Sequence, residues 1–398
     1  MISIVSTGLI KANLRLRGGG GDFFVHWMGI RAFAFETTEP YSGDVAASTQ
    51  RLVYGRSARP GEEPFILDTP FHLLLLYFPF SLIPEAALAR SIFTLVLELA
   101  LCSLVIISLL ISEQGVPRIL FVIFVLVGLL SYYSFQAIFE ANPVVLLGLL
   151  YGCILLSLRL GTDELTGAMI AVSLYYWEVG APFLSLVLLR VYYEKRMRIY
   201  AGLFMVSFIL LSISLLLYPD WLLPFLRATV NNLKFDFGYN IFTVLSHFWP
   251  GQGVTIAWFL IITLIILLGY EWNASRGSDF RRFYWAACIT LSATHLLGFR
   301  SEMENLVVLV LPLALIFSSI YDRWGKTGKG LVATLMLLLN SIPWIIHLSA
   351  VDGFGKMTND ILFLFLPLVT LVGLYWIRWW LLKKPRTWVD LVNRQLQD

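Results

Sequence analysis

Residues 86–111 read AALARSIFTLVLELALCSLVIISLLI, an apolar run in which Arg90 and Glu98 are the only charged side chains. A bilayer core takes about 20 apolar residues per helix, so this stretch is long enough to cross one. Runs long enough, or nearly so, recur at 118–134, 143–158, 199–218, 254–271, 283–299, 304–320, 330–349 and 361–382. The stretch 164–193 is broken near Glu178, Gly180 and Pro182. It reads either as a hairpin of two short helices or as one kinked crossing. The fold class expected is an all-α polytopic membrane protein with roughly 10–11 transmembrane helices.

Composition points the same way. Of 398 residues, 58% are hydrophobic and only 14% charged, against roughly 25% charged in soluble domains, which excludes a soluble globular enzyme. The net charge of +3 is no nucleic-acid footprint, because basic loops of a membrane protein produce the same excess. Cys102, Cys153 and Cys288 all fall in apolar runs without CxxC spacing, so neither a disulfide framework nor a zinc site is indicated.

The basic residues set the expected orientation. With 164–193 as a hairpin, one set of loops and the tail carries sixteen of them: Arg118, Arg159, four in 190–198, three in 276–282, three in 323–329 and four in 383–398. The opposite set holds four, Arg227, Lys234, Arg300 and Lys356. Basic loops stay inside, so 135–142, 219–253, 300–303 and 350–360 are expected to face outward. The chain then divides into an extracytoplasmic loop with interfacial helices over 1–85, a transmembrane bundle over 86–382 and a cytoplasmic tail over 383–398. This parity starts the span at 86 outside. Residues 1–10 are apolar but too short to cross, so either an N-terminal helix is missing, or 69–84 (TPFHLLLLYFPFSLIP) crosses and 1–68 is cytoplasmic.

Candidate chemistry concentrates in the first loop. Residues 18–35, GGGGDFFVHWMGIRAFAF, place four glycines before Asp22 and then an aromatic segment suited to a helix along the membrane surface, starting just after Asp22. Asp22 reads either as a helix cap or as a carboxylate that accepts a proton. The run lacks the lysine and spacing of a phosphate loop. At 299–305, FRSEMEN packs Arg300, Glu302, Glu304 and Asn305 into a short outward turn. Arg300 there suits a phosphate, or forms a structural bridge with Glu302 or Glu304. His26 and Trp27 pack or hydrogen-bond beside Asp22, and His247 is read as solvated or interfacial.

The pattern GGDF (20–23), an aromatic helix, EPYS (39–42) and the proline-containing segment 69–84 resembles the first extracytoplasmic loop of GT-C membrane glycosyltransferases. The likeness is to glycosyltransferase family 87, which includes polyprenyl-phosphate-mannose-dependent mannosyltransferases. Residues 140–174, EANPVVLLGLLYGCILLSLRLGTDELTGAMIAVSL, are similar to that family's Gly-Gln-x-Asn segment, the span after it, a basic turn and a small-residue helix. The resemblance implies a GT-C-like bundle with a large first loop. It implies a hexosyltransferase that moves a mannose-like sugar, with inversion, from a polyprenyl-phosphate donor to an acceptor hydroxyl, Asp22 being the catalytic base. His26, Tyr41, Asn142, Glu178, Arg300 and Asn305 are the candidates for binding donor or acceptor. Two positions depart from the family: Glu140 stands where Gln is usual, and Glu178 lies where many members have Lys-Pro. No DxD-type metal pattern stands out, so no metal and no cofactor beyond the lipid-linked donor is expected. The expected partners are membrane lipid, the polyprenyl-phosphate sugar and a lipid or glycan acceptor, with no nucleic acid. The expected place is a bacterial plasma membrane, with the site on its outer face. A transporter or flippase for a lipid or polar solute is the rival reading. Against it, Asp22, Asp44, Glu62, Glu63 and Asp68 share one surface loop rather than the bilayer midplane, and no inverted repeat is visible.

Overall fold

The computed structural model describes residues 2–15, 19–59, 62–112, 117–174, 177–232, 234, 238–349 and 355–382. The tail 383–398 lies outside the described residues, which are helical with no β-strand among them. Five helices are long and apolar enough to cross a membrane, or six if one bent pair counts as a span. The protein is therefore an all-helical, multi-pass membrane protein.

The N-terminal part holds α1 (Ile2–Arg15), α2 (Gly21–Phe35), α3 (Gly43–Tyr54), α4 (Phe71–Leu74) and α5 (Phe78–Ser81). Helix α6 (Ala86–Ile111) is the first long span, followed by α7 (Arg118–Leu130) and α8 (Tyr132–Phe139). The run 118–134 is not one straight helix. It bends by 50° at Ser131, whose hydroxyl accepts from the Ser134 N–H and so starts a new helix there. Next come α9 (Val144–Leu160), α10 (Asp163–Ser173), α11 (Trp177–Tyr193) and α12 (Met197–Leu217). The stretch 164–193 thus folds as two short helices, but the break comes ahead of Trp177, and Glu178, Gly180 and Pro182 all lie in the first turns of α11.

Close packing of α10 on α12 depends on glycine at both contact points. A Cβ on Gly167 would sit 2.0 Å from the Ile199 carbonyl, and one on Gly202 2.3 Å from that of Glu164. Small residues let helix backbones approach in this way where lipid offers no hydrophobic driving force.

The remainder comprises α13 (Leu222–Asn232), α14 (Ile241–Phe248), α15 (Gly253–Ser275), α16 (Phe280–Thr294), α17 (Val310–Ser349) and α18 (Gly355–Leu382). Helix α17 follows a 3-10 turn over Glu304–Leu309 and is broken at Gly325, which has φ 53°. That break separates the expected runs 304–320 and 330–349.

Two expectations about the first loop change. Helix α2 starts at Gly21 and does not lie on a surface. Phe23, Phe24, Val25, Trp27, Ile30 and Ala32 are all buried, because a helix that is apolar all round finds its lowest free energy with every face covered. The chain ahead of the glycines is also structured. The 14-residue α1 packs on the 26-residue α6, where the Asn13 amide donates to Glu98 Oε1 at 3.3 Å. Arg90 of α6 donates to the carbonyls of Asn13 and Gly19. A segment too short to span alone is held by a neighbour that does span.

Alternating helix directions sort the chain into two ends. Asn142, Glu178 and Arg300 fall at one; the connections 159–163 and 190–198 fall at the other. There Arg159 donates to the Leu110 carbonyl, Arg196 to Leu158 and Arg190 to Ser278.

Candidate functional site

The glycine run exists to bring the start of α2 against its surroundings. Gly19 and Gly20 have φ of 68° and 83°, the left-handed region that glycine enters without strain. Space is restricted as well. A Cβ on Gly19 would meet the Phe139 carbonyl at 2.5 Å, and one on Gly21 the Phe65 ring at 2.7 Å. The N-cap position of α2 is Gly20, with no side chain to cap the helix. Glu140 takes that role from outside the helix, accepting from the Gly21 N–H at 3.3 Å, where a negative charge also meets the helix dipole favourably. The departure at Glu140 thus has a local structural use.

Asp22 is consequently not a cap. Its Oδ2 accepts a 2.7 Å hydrogen bond from Nδ2 of Asn142. The Asn142 amide cannot be turned round, since its Oδ1 accepts from the Val144 N–H at 2.8 Å at the start of α9. Asp22 lines a cleft of about 340 Å³ together with His26, Glu63, Asp68, Glu178, Arg300, Glu302 and Asn305. Trp177 and Phe225 supply aromatic wall, and Thr229 and Asn232 of α13 close one side.

Asp22, His26, Glu178, Arg300 and Asn305 therefore share one cleft, with Asn142 one hydrogen bond behind. Tyr41 does not line it. Its hydroxyl donates to the Thr69 carbonyl at 2.8 Å, and its ring borders a neighbouring cavity of about 290 Å³ beside Arg227 and Asn231. Tyr41 is linked to the cleft through Thr69, whose hydroxyl is 2.7 Å from His26 Nε2. His26 Nδ1 bonds the Asp22 carbonyl, which only accepts, so Nδ1 carries the proton and Nε2 accepts from Thr69. Burial pulls the His26 pKa down to about 4. The ring is neutral near pH 7 and stacks on Tyr77 at 4.5 Å. It is a rigid wall of the cleft, not a cation for a phosphate.

Arg300 is held by the backbone. Tyr239 and Ser301 exchange N–H···O bonds of 2.6 and 2.9 Å, and Asn240 donates to the Gly298 carbonyl at 2.8 Å. Gly238 lies so close that a Cβ there would be 3.3 Å from the Arg300 Cγ and Nε. The guanidinium acts on several carboxylates at once, lowering the proton affinity of both Glu63 and Glu302.

Burial dominates the electrostatics, and carboxylate crowding adds to it. Burial, then the charges of Glu302, Glu63, Glu304 and Glu140, hold the Asp22 carboxyl well above the usual carboxylate range. Glu63 is pushed up to about 8 by burial and by Glu302. Glu302 is raised by burial against the pull of Arg300. Like charges drawn out of bulk water cannot all ionise together, so protons are retained.

Spacing alone could not bring in Glu63, Asp68 and Asn232. The two carboxylates are visible only as members of an acidic loop, and Asn232 donates to Asp68 Oδ2 at 2.7 Å across 164 positions. His72 faces Trp221 of the loop before α13. His247 is paired, its Nδ1 2.7 Å from Oδ2 of the buried Asp360 in α18. Asp236 lies outside the described residues. Among the described residues, no three His, Cys, Asp or Glu side chains converge as metal ligands. No family model matches the chain, and no curated protein matches it.

Proposed function

We propose that the protein is a membrane glycosyltransferase that moves a hexose, mannose-like by resemblance, from a polyprenyl-phosphate donor to an acceptor hydroxyl. The observation that carries this reading is a carboxylate of raised proton affinity, fixed by Asn142, in the same cleft as Arg300. An alcohol is a poor nucleophile near neutral pH, and a positioned base contributes about 10²–10⁴ in rate. Asp22 takes the hydroxyl proton as the acceptor oxygen attacks the anomeric carbon. The bond from that carbon to the phosphate oxygen breaks on the opposite face, and the phosphate leaves with the electron pair, inverting the configuration. Arg300 stabilises the charge growing on the leaving phosphate.

The finer architecture belongs to the same proposal. Short helices α9, α10, α11 and α16, added to α6, the bent pair α7–α8, α12, α15, the two halves of α17 and α18, bring the bundle to eleven crossings of GT-C-like arrangement. Basic residues gathered at the end away from the cleft make that end cytoplasmic and the cleft outward-facing. Cysteine labelling on the two sides tests this: a cysteine at Glu164 reacts only from inside and one at Asp44 only from outside, and the reverse pattern removes the proposed orientation.

The reaction is tested with purified protein and a panel of polyprenyl-phosphate sugars, following donor loss and glycosylated product together. One donor should be consumed with an inverted product. If every donor stays intact while proteoliposomes move a lipid or polar solute, the transporter reading replaces this one.

A further inference from the structure

The cleft contains one buried hydrogen-bond acceptor whose need is unmet. Asn305 is only 3% exposed, and its Oδ1 has no partner among the described residues, while its Nδ2 donates to Ser301 Oγ at 3.4 Å. An unsatisfied buried acceptor costs free energy that a ligand donor would recover. Around it the described lining is rich in acceptors. Asp22, Glu63, Asp68, Glu178 and Glu302 bring carboxyl groups, against Arg300 as the one Arg or Lys among those lining residues. Three potential donors nearby are committed: the Asn232 amide to Asp68, the Thr229 hydroxyl to the Phe225 carbonyl and His26 Nδ1 to the Asp22 carbonyl.

A neutral hexose with an anionic phosphate uses Arg300 but does nothing for this excess of negative charge. We propose that the sugar bound in this cleft carries a free amine, held as an ammonium by Glu302, Glu63 and the Oδ1 of Asn305. The inference rests on the transferase reading only in taking the ligand to be a sugar. An ammonium has several N–H donors and no acceptor, and its N–H···O contacts of about 2.7–2.9 Å reach acceptors less tightly gathered than the ligands of a metal ion. A divalent cation instead needs several oxygens converging within about 2.0–2.6 Å, and such a convergence is absent among the described residues. Burial raises the proton affinities of Glu63 and Glu302, and a cation beside them would lower both. Arrival of an ammonium favours their ionised forms, so binding near neutral pH releases protons.

The test uses the full-length protein in nanodiscs, with glucosamine, N-acetylglucosamine and glucose as soluble probes. Glucosamine should bind tighter than both others by about tenfold or more, the worth of one charge-assisted hydrogen bond. Calorimetry in two buffers of different ionisation enthalpy should show proton release for glucosamine alone. Glu302→Gln and Glu63→Gln should each erode the preference for glucosamine over glucose severalfold. Equal binding of the three probes overturns the proposal using wild-type protein alone, so it does not depend on a variant folding. A preference that survives the double Gln variant, or tight binding of calcium or magnesium that displaces glucosamine, overturns it too. Turnover separates the source of the amine and the fate of the transferase reading. Consumption of polyprenyl-phosphate glucosamine in preference to the polyprenyl-phosphate hexose places the amine on the donor. Consumption of the hexose donor only with an amine-bearing acceptor places it there. Transfer without any amine preference sinks this inference alone; amine-selective binding without transfer from any donor sinks the transferase reading alone.

Discussion

At the end of the bundle away from the cleft, charges meet partners of opposite sign. Arg196 contacts Asp163 of α10, with its Nε 3.0 Å from Oδ1, and also Glu194. Glu271, only 3% exposed, lies 3.1 Å from Arg378 and 3.9 Å from Arg282. Arg378 also rests over the ring of Trp285. At the cleft, one guanidinium is shared among Glu63, Asp68, Glu178 and Glu302, and protons fill part of the deficit. Paired charge at one end holds helices together. Unmatched charge at the other costs stability and is retained where a ligand or a proton completes it.

Four changes would break or sharpen that contrast. Arg300→Ala should weaken donor binding by about 30-fold or more, the cost of removing one partner of a desolvated charge pair, read by donor titration. If Arg300 were only a clasp, the melting temperature would fall while donor affinity of the folded fraction held. At the other end, Arg378→Ala leaves Glu271 buried beside the more distant Arg282, and stability should drop by roughly 2 kcal/mol. Thermal melts in detergent check this, and replacing both Glu271 and Arg378 by leucine should recover most of the loss. The pH dependence of transfer separates the ends again. Asp22 must lose its proton to act, so the rate should rise with pH through a value above the ordinary 3.8 of an aspartate. Glu302→Gln removes a like charge and should move that limb to lower pH. Arg378→Ala should leave it in place.

A further effect is on the pH dependence of stability. Glu63 holds its proton up to about 8 in the folded protein, against an ordinary 4.5. Between these values the folded state binds more protons than the unfolded, so stability falls as pH rises. Glu63→Gln should flatten that part of the melting-temperature profile; an unchanged slope would show that Glu63 ionises normally.

How far these features can be read from the sequence follows from the range of the interactions. Long spans such as α6 and α12 are visible because an apolar run is a local property. The bend at Ser131 is not, since the run stays apolar across it. Helix α2 looks interfacial in isolation, yet most of its residues are buried because α3, α5 and α6 pack on it, and no local pattern names those neighbours. Asp22 stands out through its glycine context, whereas its hydrogen bond to Asn142 joins residues 120 positions apart. Asn142 enters the sequence reading only through the family resemblance. Tyr41 was grouped with the site by its motif, but its hydroxyl spends its bond on the Thr69 carbonyl, one layer behind the cleft wall.

The most direct measurement compares turnover with donor binding in Asp22→Asn. Asparagine keeps the shape of the side chain and an oxygen for the Asn142 amide, while removing the basic oxygen. The account predicts a loss of transfer of about 10²-fold or more with donor affinity and melting temperature little changed. An Asp22→Asn protein that turns over at near wild-type rate would remove Asp22 from the chemistry and contradict the account.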